Sequence, residues 1–222
     1  MLSVIIPTMW VPQTFCDFLQ YVVKQECIGE IIIINNAIDK TPDHPAISHP
    51  KIRMVNCDEN IFVNPAWNLG AQMAFFEHLC FLSDDVIVDL RAFYKADEFM
   101  EKTEEMGMLY ICPGYEENDQ PKVTTGEIEI ETGVVTNRYG YGSFFFVKKK
   151  DWNPIPEQFK IWFGDHFTFM HFQEKRIPSY YIKNCFFSSP WAMTVKSISY
   201  DPEFRNKVRD DEEFQKYTGV GK

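Results

Sequence analysis

Short β-branched runs alternate with amphipathic stretches along the first half of the chain. Residues 2–6 form one such run, stopped by Pro7, and the four isoleucines at 31–34 form another, stopped by Asn35-Asn36. Runs this short and this apolar predict strands buried on both faces, as in a parallel sheet. Between them, Phe15, Phe18, Leu19, Val22 and Val23 fall at i, i+3, i+4, i+7 and i+8, the stripe of an amphipathic helix over 14–25. The three pieces make a β-α-β unit. Residues 39–50, rich in proline and charge, predict a loop, and 52–56 a third strand. Asn64-Pro65 offers an N-cap followed by proline at the first helical position, opening a helix to about residue 77. Residues 79–82 predict a strand running into Ser83-Asp84-Asp85, residues 91–105 a helix, and residues 108–112 a strand that breaks at Pro113-Gly114.

The second half is patterned differently. Residues 127–131 alternate Glu with Ile and 134–136 follow Gly133, which predicts an exposed hairpin. Residues 144–147 are a fully apolar strand entered through Tyr139-Gly140-Tyr141-Gly142-Ser143. Pro154 and Pro156 mark a loop, Gly164-Asp165 opens a helix to about 175, and 180–182 make a last short strand. From about residue 201 the chain is charged and reads as a peripheral helix with a loose tail. Strand–helix alternation predicts an α/β fold, an open, mostly parallel sheet flanked by helices, with its ligand crevice at the carboxyl ends of the strands. Pro7-Thr8, Asn35-Asn36 and Ser83-Asp84-Asp85 then share one rim.

Composition narrows the picture. A chain of 222 residues suits one domain, and 45% hydrophobic with 24% charged residues excludes disorder. A net charge of −10 argues against a surface built to neutralise many phosphates. The six cysteines form no CxxC pair, which points to a reducing compartment without structural zinc. No basic segment precedes the first apolar run, and Pro7 interrupts it too early for a signal peptide or membrane span. The expectation is a soluble, cytoplasmic protein of open oligomeric state.

Ser83-Asp84-Asp85 follows an apolar strand, where a carboxylate can be held at a solvent-facing rim. Mg²⁺ and Mn²⁺ take oxygen ligands, usually one or two carboxylates with substrate phosphates. Taken alone, the same residues also fit a turn or helix cap. The order of Val4-Ile5-Ile6-Pro7-Thr8, Ile34-Asn35-Asn36, the Asn-rich segment from Asn60 through Asn64 and Asn68 to Gly70, and the acidic turn resembles the family 2-like glycosyltransferases of the GT-A fold. The resemblance is strong over the first half and looser over the second. It implies a single GT-A domain over 1–200, with a nucleotide-sugar-binding half at 1–112, a smaller antiparallel acceptor-side half at 113–200, and the helix and tail at 201–222.

The resemblance implies a role for each of these residues. Pro7 and Thr8 line the base pocket, Asn35 and Asn36 face uracil or ribose, and Asn64 and Asn68 mark the helix entry on the donor side. Asp85 holds the divalent metal, Mn or Mg, with Asp84 touching the donor sugar or a water. The family usually carries Asp where Asn35 stands and at the start of the DxD motif, where this chain has Ser83. Trp162-Phe163-Gly164-Asp165-His166 resembles the segment bearing the general base, so Asp165 is the candidate, with His166 as the alternative in a shifted correspondence. Gly142 belongs to the loop facing donor and acceptor sugars. The implied reaction is metal-dependent, inverting transfer from a nucleotide sugar, a UDP-sugar favoured, to an acceptor glycan or glycoconjugate, a modified nucleobase remaining open. Two alternatives stand beside it: a catalytically lapsed carbohydrate- or nucleotide-binding protein, and a sugar nucleotidyltransferase, which the absence of glycine and basic residues in residues 7–12 disfavours. His166 and His171, five apart, do not share the helical face that joint metal ligation needs. Lys148-Lys149-Lys150 reads as a solvated strand end, Lys196 as an exposed lysine within reach of a diphosphate, and Trp10, Trp67, Trp162 and Trp191 as either buried anchors or sugar platforms.

Overall fold

Strands that are apolar on both faces need helices on both sides of the sheet they form. A computed structural model of the chain describes residues 1–111, 126–133, 141–189 and 209–218. In it β1 (Leu2–Thr8), β2 (Ile28–Asn35) and β3 (Ile52–Asn56) run parallel, with β4 (His78–Leu82) parallel on the other side of β1. A short β5 (Ile87–Val88) follows, then β6 (Leu109–Ile111), β7 (Glu129–Thr132), β8 (Phe144–Lys148) and β9 (Tyr180–Lys183). The large sheet has eight strands in the order β3-β2-β1-β4-β8-β6-β9-β7. β8 is antiparallel to both its neighbours, β9 is parallel to β6, and β7 is antiparallel to β9 at the edge. β5 pairs antiparallel with β10 (Phe187–Ser188) in a separate ribbon.

Side-chain alternation divides the core in two. Val4, Ile6, Ile31, Ile33, Phe144 and Phe146 face one side, where α1 (Phe15–Val22) and α3 (Arg91–Lys102) bring Phe15, Leu19, Phe93 and Met100. Ile5, Ile32, Ile34, Phe81 and Phe145 face the other, under α2 (Val63–Met73) and α4 (Gly164–Glu174), which bring Trp67, Ala71, Phe167 and Phe172. α5 (Asp210–Thr218) packs Phe214 against that second side. Gly70 lets α2 lie directly on β1, since a Cβ there would stand 2.3 Å from Ile5 Cγ2.

Some expectations change in detail. α2 begins at Val63, so Asn64 is inside the first turn and not its cap; the cap position is Phe62, at φ 67°, with no side-chain cap bond. The Asn64 amide reaches across to Trp162 O instead. α2 and α3 stop at Met73 and Lys102, where Lys149 Nζ donates to Ala74 O at 2.6 Å and Lys148 Nζ to Thr103 O at 2.6 Å. Lys148 and Lys149 therefore serve the two helix C-termini. β7 pairs with β9, while the second arm of the expected hairpin, 134–136, lies outside the described residues. So do Cys112 with its Pro113-Gly114 break, Tyr139-Gly140, Trp191, Lys196 and the expected tail end at 219–222.

Candidate active site

The ends of β1, β2 and β4 meet at one rim. Thr8 pairs with Asn35 in register, and Asn36 N donates to Thr8 O at 2.9 Å. Thr8 Oγ1 donates to Asp84 Oδ2 at 2.6 Å and accepts from Trp10 N at 2.9 Å, so β1 is tied to the acidic turn that follows β4. Burial pushes the Asp84 carboxyl up to about 7, against the Thr8 hydrogen bond and with help from the neighbouring Asp85 charge. Asp85 Oδ2 accepts from Ser189 Oγ at 3.1 Å, a contact that nothing in the sequence pattern foretold. The turn closes through Val86 N donating to Ser83 O at 3.2 Å, while Ser83 N donates to Ser143 O at 2.9 Å.

At the end of β2, Asn35 is 0% exposed and its amide is saturated by protein partners. Oδ1 accepts from Trp10 Nε1 at 2.8 Å and Ala37 N at 3.1 Å, and Nδ2 donates to Thr41 Oγ1 at 2.8 Å and Asn56 Oδ1 at 2.9 Å. Its bonds thus bind the ends of β1, β2 and β3 into one wall. Asn36 Oδ1 accepts from Ile61 N at 3.2 Å, and Pro7 is buried beside Ile34. Trp10 holds a positive φ of 59°, a conformation a bulky residue adopts only when its surroundings fix it, here through Asn35, Thr8 and the Phe15 ring 5.5 Å away.

Across the rim, Asp165 sits in the first turn of α4. Its Oδ2 accepts from Gly142 N at 3.0 Å and its Oδ1 from His166 N at 2.9 Å, with His166 Nδ1 3.1 Å from the same oxygen. Burial works to raise the Asp165 pKa, but the bonds and charge of His166 and the Gly142 N–H outweigh it and hold the carboxyl below its usual range. The hydrogen bond to Asp165 in turn raises His166. A side chain at Gly142 would be crowded, since a Cβ would stand 3.0 Å from the Trp67 ring and 3.3 Å from Asp165 Cβ. Consecutive residues thus join both clusters: Gly142 binds Asp165 and Ser143 binds the acidic turn at Ser83.

Asn64 and Asn68 lie in the seam between α2 and the 155–164 segment. Asn68 clasps Ile155 twice, Nδ2 to O at 2.7 Å and Oδ1 from N at 2.9 Å. Asn64 is 0% exposed, donates to Trp162 O at 3.1 Å, and leaves Oδ1 with no hydrogen-bond partner among the described residues. Among the described residues, no group of three or more His, Cys, Asp and Glu side chains gathers to hold a metal ion. Asp85 is the carboxylate of the turn not spent on β1. One carboxylate with a neighbouring hydroxyl fits a hard cation whose other ligands are phosphate and water.

A parallel β3-β2-β1-β4 half, an antiparallel β8 beside it and an acidic turn at the end of β4 place the fold in the GT-A class. The chain belongs to glycosyl transferase family 2, whose model matches residues 3–199. Among solved structures, S. aureus TarS 1–349 aligns with a TM-score of 0.60 at 18% identity, covering 81% of this chain and 59% of that one. GalNAc-T7, solved with UDP, GalNAc and Mn²⁺, aligns with a TM-score of 0.64 at 12% identity, over 85% of this chain and 43% of that one. A nucleotidyl transferase from Methanothermobacter thermautotroptrophicus shares the fold at a TM-score of 0.53 and 12% identity, over 81% of this chain and 85% of that one. At these identities the likeness is one of fold. Comparison with curated proteins finds no match. Among the described residues, no helix is long and apolar enough to cross a membrane.

Proposed function

We propose that the protein transfers a sugar from a nucleotide sugar, a UDP-sugar by preference, to an acceptor hydroxyl, with a divalent metal at Asp85 and inversion at the anomeric carbon. The observation that carries this reading is the 141–143 turn, which fixes the acidic turn and Asp165 through adjacent residues. Inverting displacement needs that pairing, a site for the leaving diphosphate and a base across from it within reach of the acceptor hydroxyl. TarS solved with UDP-GlcNAc and GalNAc-T7 solved with UDP and Mn²⁺ support the donor class and the metal.

Each residue then has a task. Pro7, Thr8 and Asn36 shape the base and ribose pocket, with Asn35 fixing its walls. Asp85, supported by Ser189, meets the diphosphate side, while Asp84, tied to Thr8, stands beside it toward the donor sugar or a water. Mn²⁺ or Mg²⁺ bound at Asp85 supplies positive charge against the departing diphosphate. Asp165 takes the acceptor proton while His166 and Gly142 N–H orient it. The acceptor is a glycan or glycoconjugate, and the setting is intracellular, supported by five free cysteines among the described residues. The test is calorimetric titration with UDP. Affinity should be about tenfold or more higher with Mn²⁺ than with chelator, and Asp85→Ala should erase that difference. A UDP affinity indifferent to metal in the parent protein removes Asp85 from this role.

A further inference from the structure

Asp210, the first residue of α5, is 1% exposed, and its carboxylate accepts three backbone hydrogen bonds. Oδ1 accepts from Lys160 N at 2.8 Å, and Oδ2 from Ile161 N at 2.6 Å and Trp162 N at 2.7 Å. Three consecutive N–H groups converging on one point form a nest for an anion. Here the anion is a side chain supplied from about fifty residues further along the chain. Residues 160–162 belong to no helix or strand, so these bonds decide where the segment lies. On its other side the segment is held by α2, through Asn64 N donating to Lys160 O at 3.0 Å and Asn64 Nδ2 donating to Trp162 O at 3.1 Å.

The segment leads directly into the proposed base. Phe163 follows Trp162 in the left-handed region at φ 63°, and α4 then starts at Gly164 with Asp165 next. A bulky residue stays in that region only when its surroundings over-determine it. Phe214, one turn along α5 from Asp210, stacks on the Phe163 ring at 4.3 Å and 12° and lies 6.4 Å from the His166 ring. α5 therefore grips both the backbone before the turn and the ring at it.

We infer that Asp210 is a positioning residue for the transfer reaction: α5 latches residues 160–163 so that α4 begins where Asp165 meets Gly142 N–H. The inference rests on Asp165 being the base. Asp210→Asn keeps the shape but turns an amide NH₂ toward backbone donors. It should lower kcat for sugar transfer by about 10- to 100-fold while leaving UDP affinity within about twofold, because the donor side is built on the ends of β1, β2 and β4. Asp210→Glu, which keeps the charge, should recover part of the loss. A folded Asp210→Asn enzyme with unchanged kcat overturns the latch. Asp165→Asn in the same assay separates the two ideas: an active Asp165→Asn enzyme sinks the base, whereas an inactive one beside a fully active Asp210→Asn enzyme sinks the latch alone. Hydrogen exchange on the unmodified protein covers the case in which Asp210→Asn fails to fold. The amides of Lys160, Ile161 and Trp162 should exchange as slowly as the amides of α5, and exchange far faster than those overturns the latch.

Discussion

The surroundings of Asp165 pull its protonation in opposite directions. Burial favours the acid, while His166 and the Gly142 N–H favour the carboxylate and win, so the group is charged at neutral pH, the form that the proposed base role requires. Asp165→Asn should reduce kcat by about 10²- to 10⁴-fold with UDP affinity unchanged, read from steady-state kinetics and calorimetry. His166→Gln removes a positive neighbour, so the Asp165 pKa should rise toward the usual carboxylate range and the acid limb of kcat/KM should move to higher pH. The pair also shapes stability. Asp165, lowered on folding, contributes above its unfolded pKa and loses that contribution as pH falls through the folded value. His166, raised on folding, contributes fully below its ordinary 6.5 and loses it as pH rises through the folded value. Urea midpoints should therefore be more pH-dependent in the parent protein than in His166→Gln on both sides of that window.

At the scale of elements, helix placement depends on a few close approaches. Alanine at Gly70 gains up to about 1 kcal/mol of helix propensity, but its methyl would stand 2.3 Å from the buried Cγ2 of Ile5, far inside contact distance. Overpacking wins, and Gly70→Ala should lose about 1–3 kcal/mol in urea unfolding. The strand cores at 2–6, 31–34 and 144–147 are legible because strands buried on both faces are written as continuous apolar runs, while the outer residues of the strands at 2–8 and 28–35 are not. The acidic turn was legible as a strand end. What remained hidden depends on register and long-range docking. Saturation of Asn35 requires β1 and β3 to place Trp10 and Asn56 beside it, and no local pattern encodes that meeting. The reach of Asp210 into the 160–162 amides is likewise invisible in a charged C-terminal stretch, where an acidic first turn reads as ordinary helix chemistry.

For the whole molecule, the proposed donor side at the ends of β1, β2 and β4 and the proposed base on α4 are joined at Gly142-Ser143. A protein of net charge −10 that binds a diphosphate needs local positive charge, which a cation at Asp85 would provide. The measurement that bears most directly on the account is release of free nucleoside diphosphate from a panel of nucleotide sugars, in Mn²⁺ or chelator, with a broad acceptor panel. Metal-dependent release from a UDP-sugar is expected, stimulated by an acceptor and lost in Asp165→Asn. Tight donor binding without release under any acceptor would contradict it and mark a binding protein on a transferase fold.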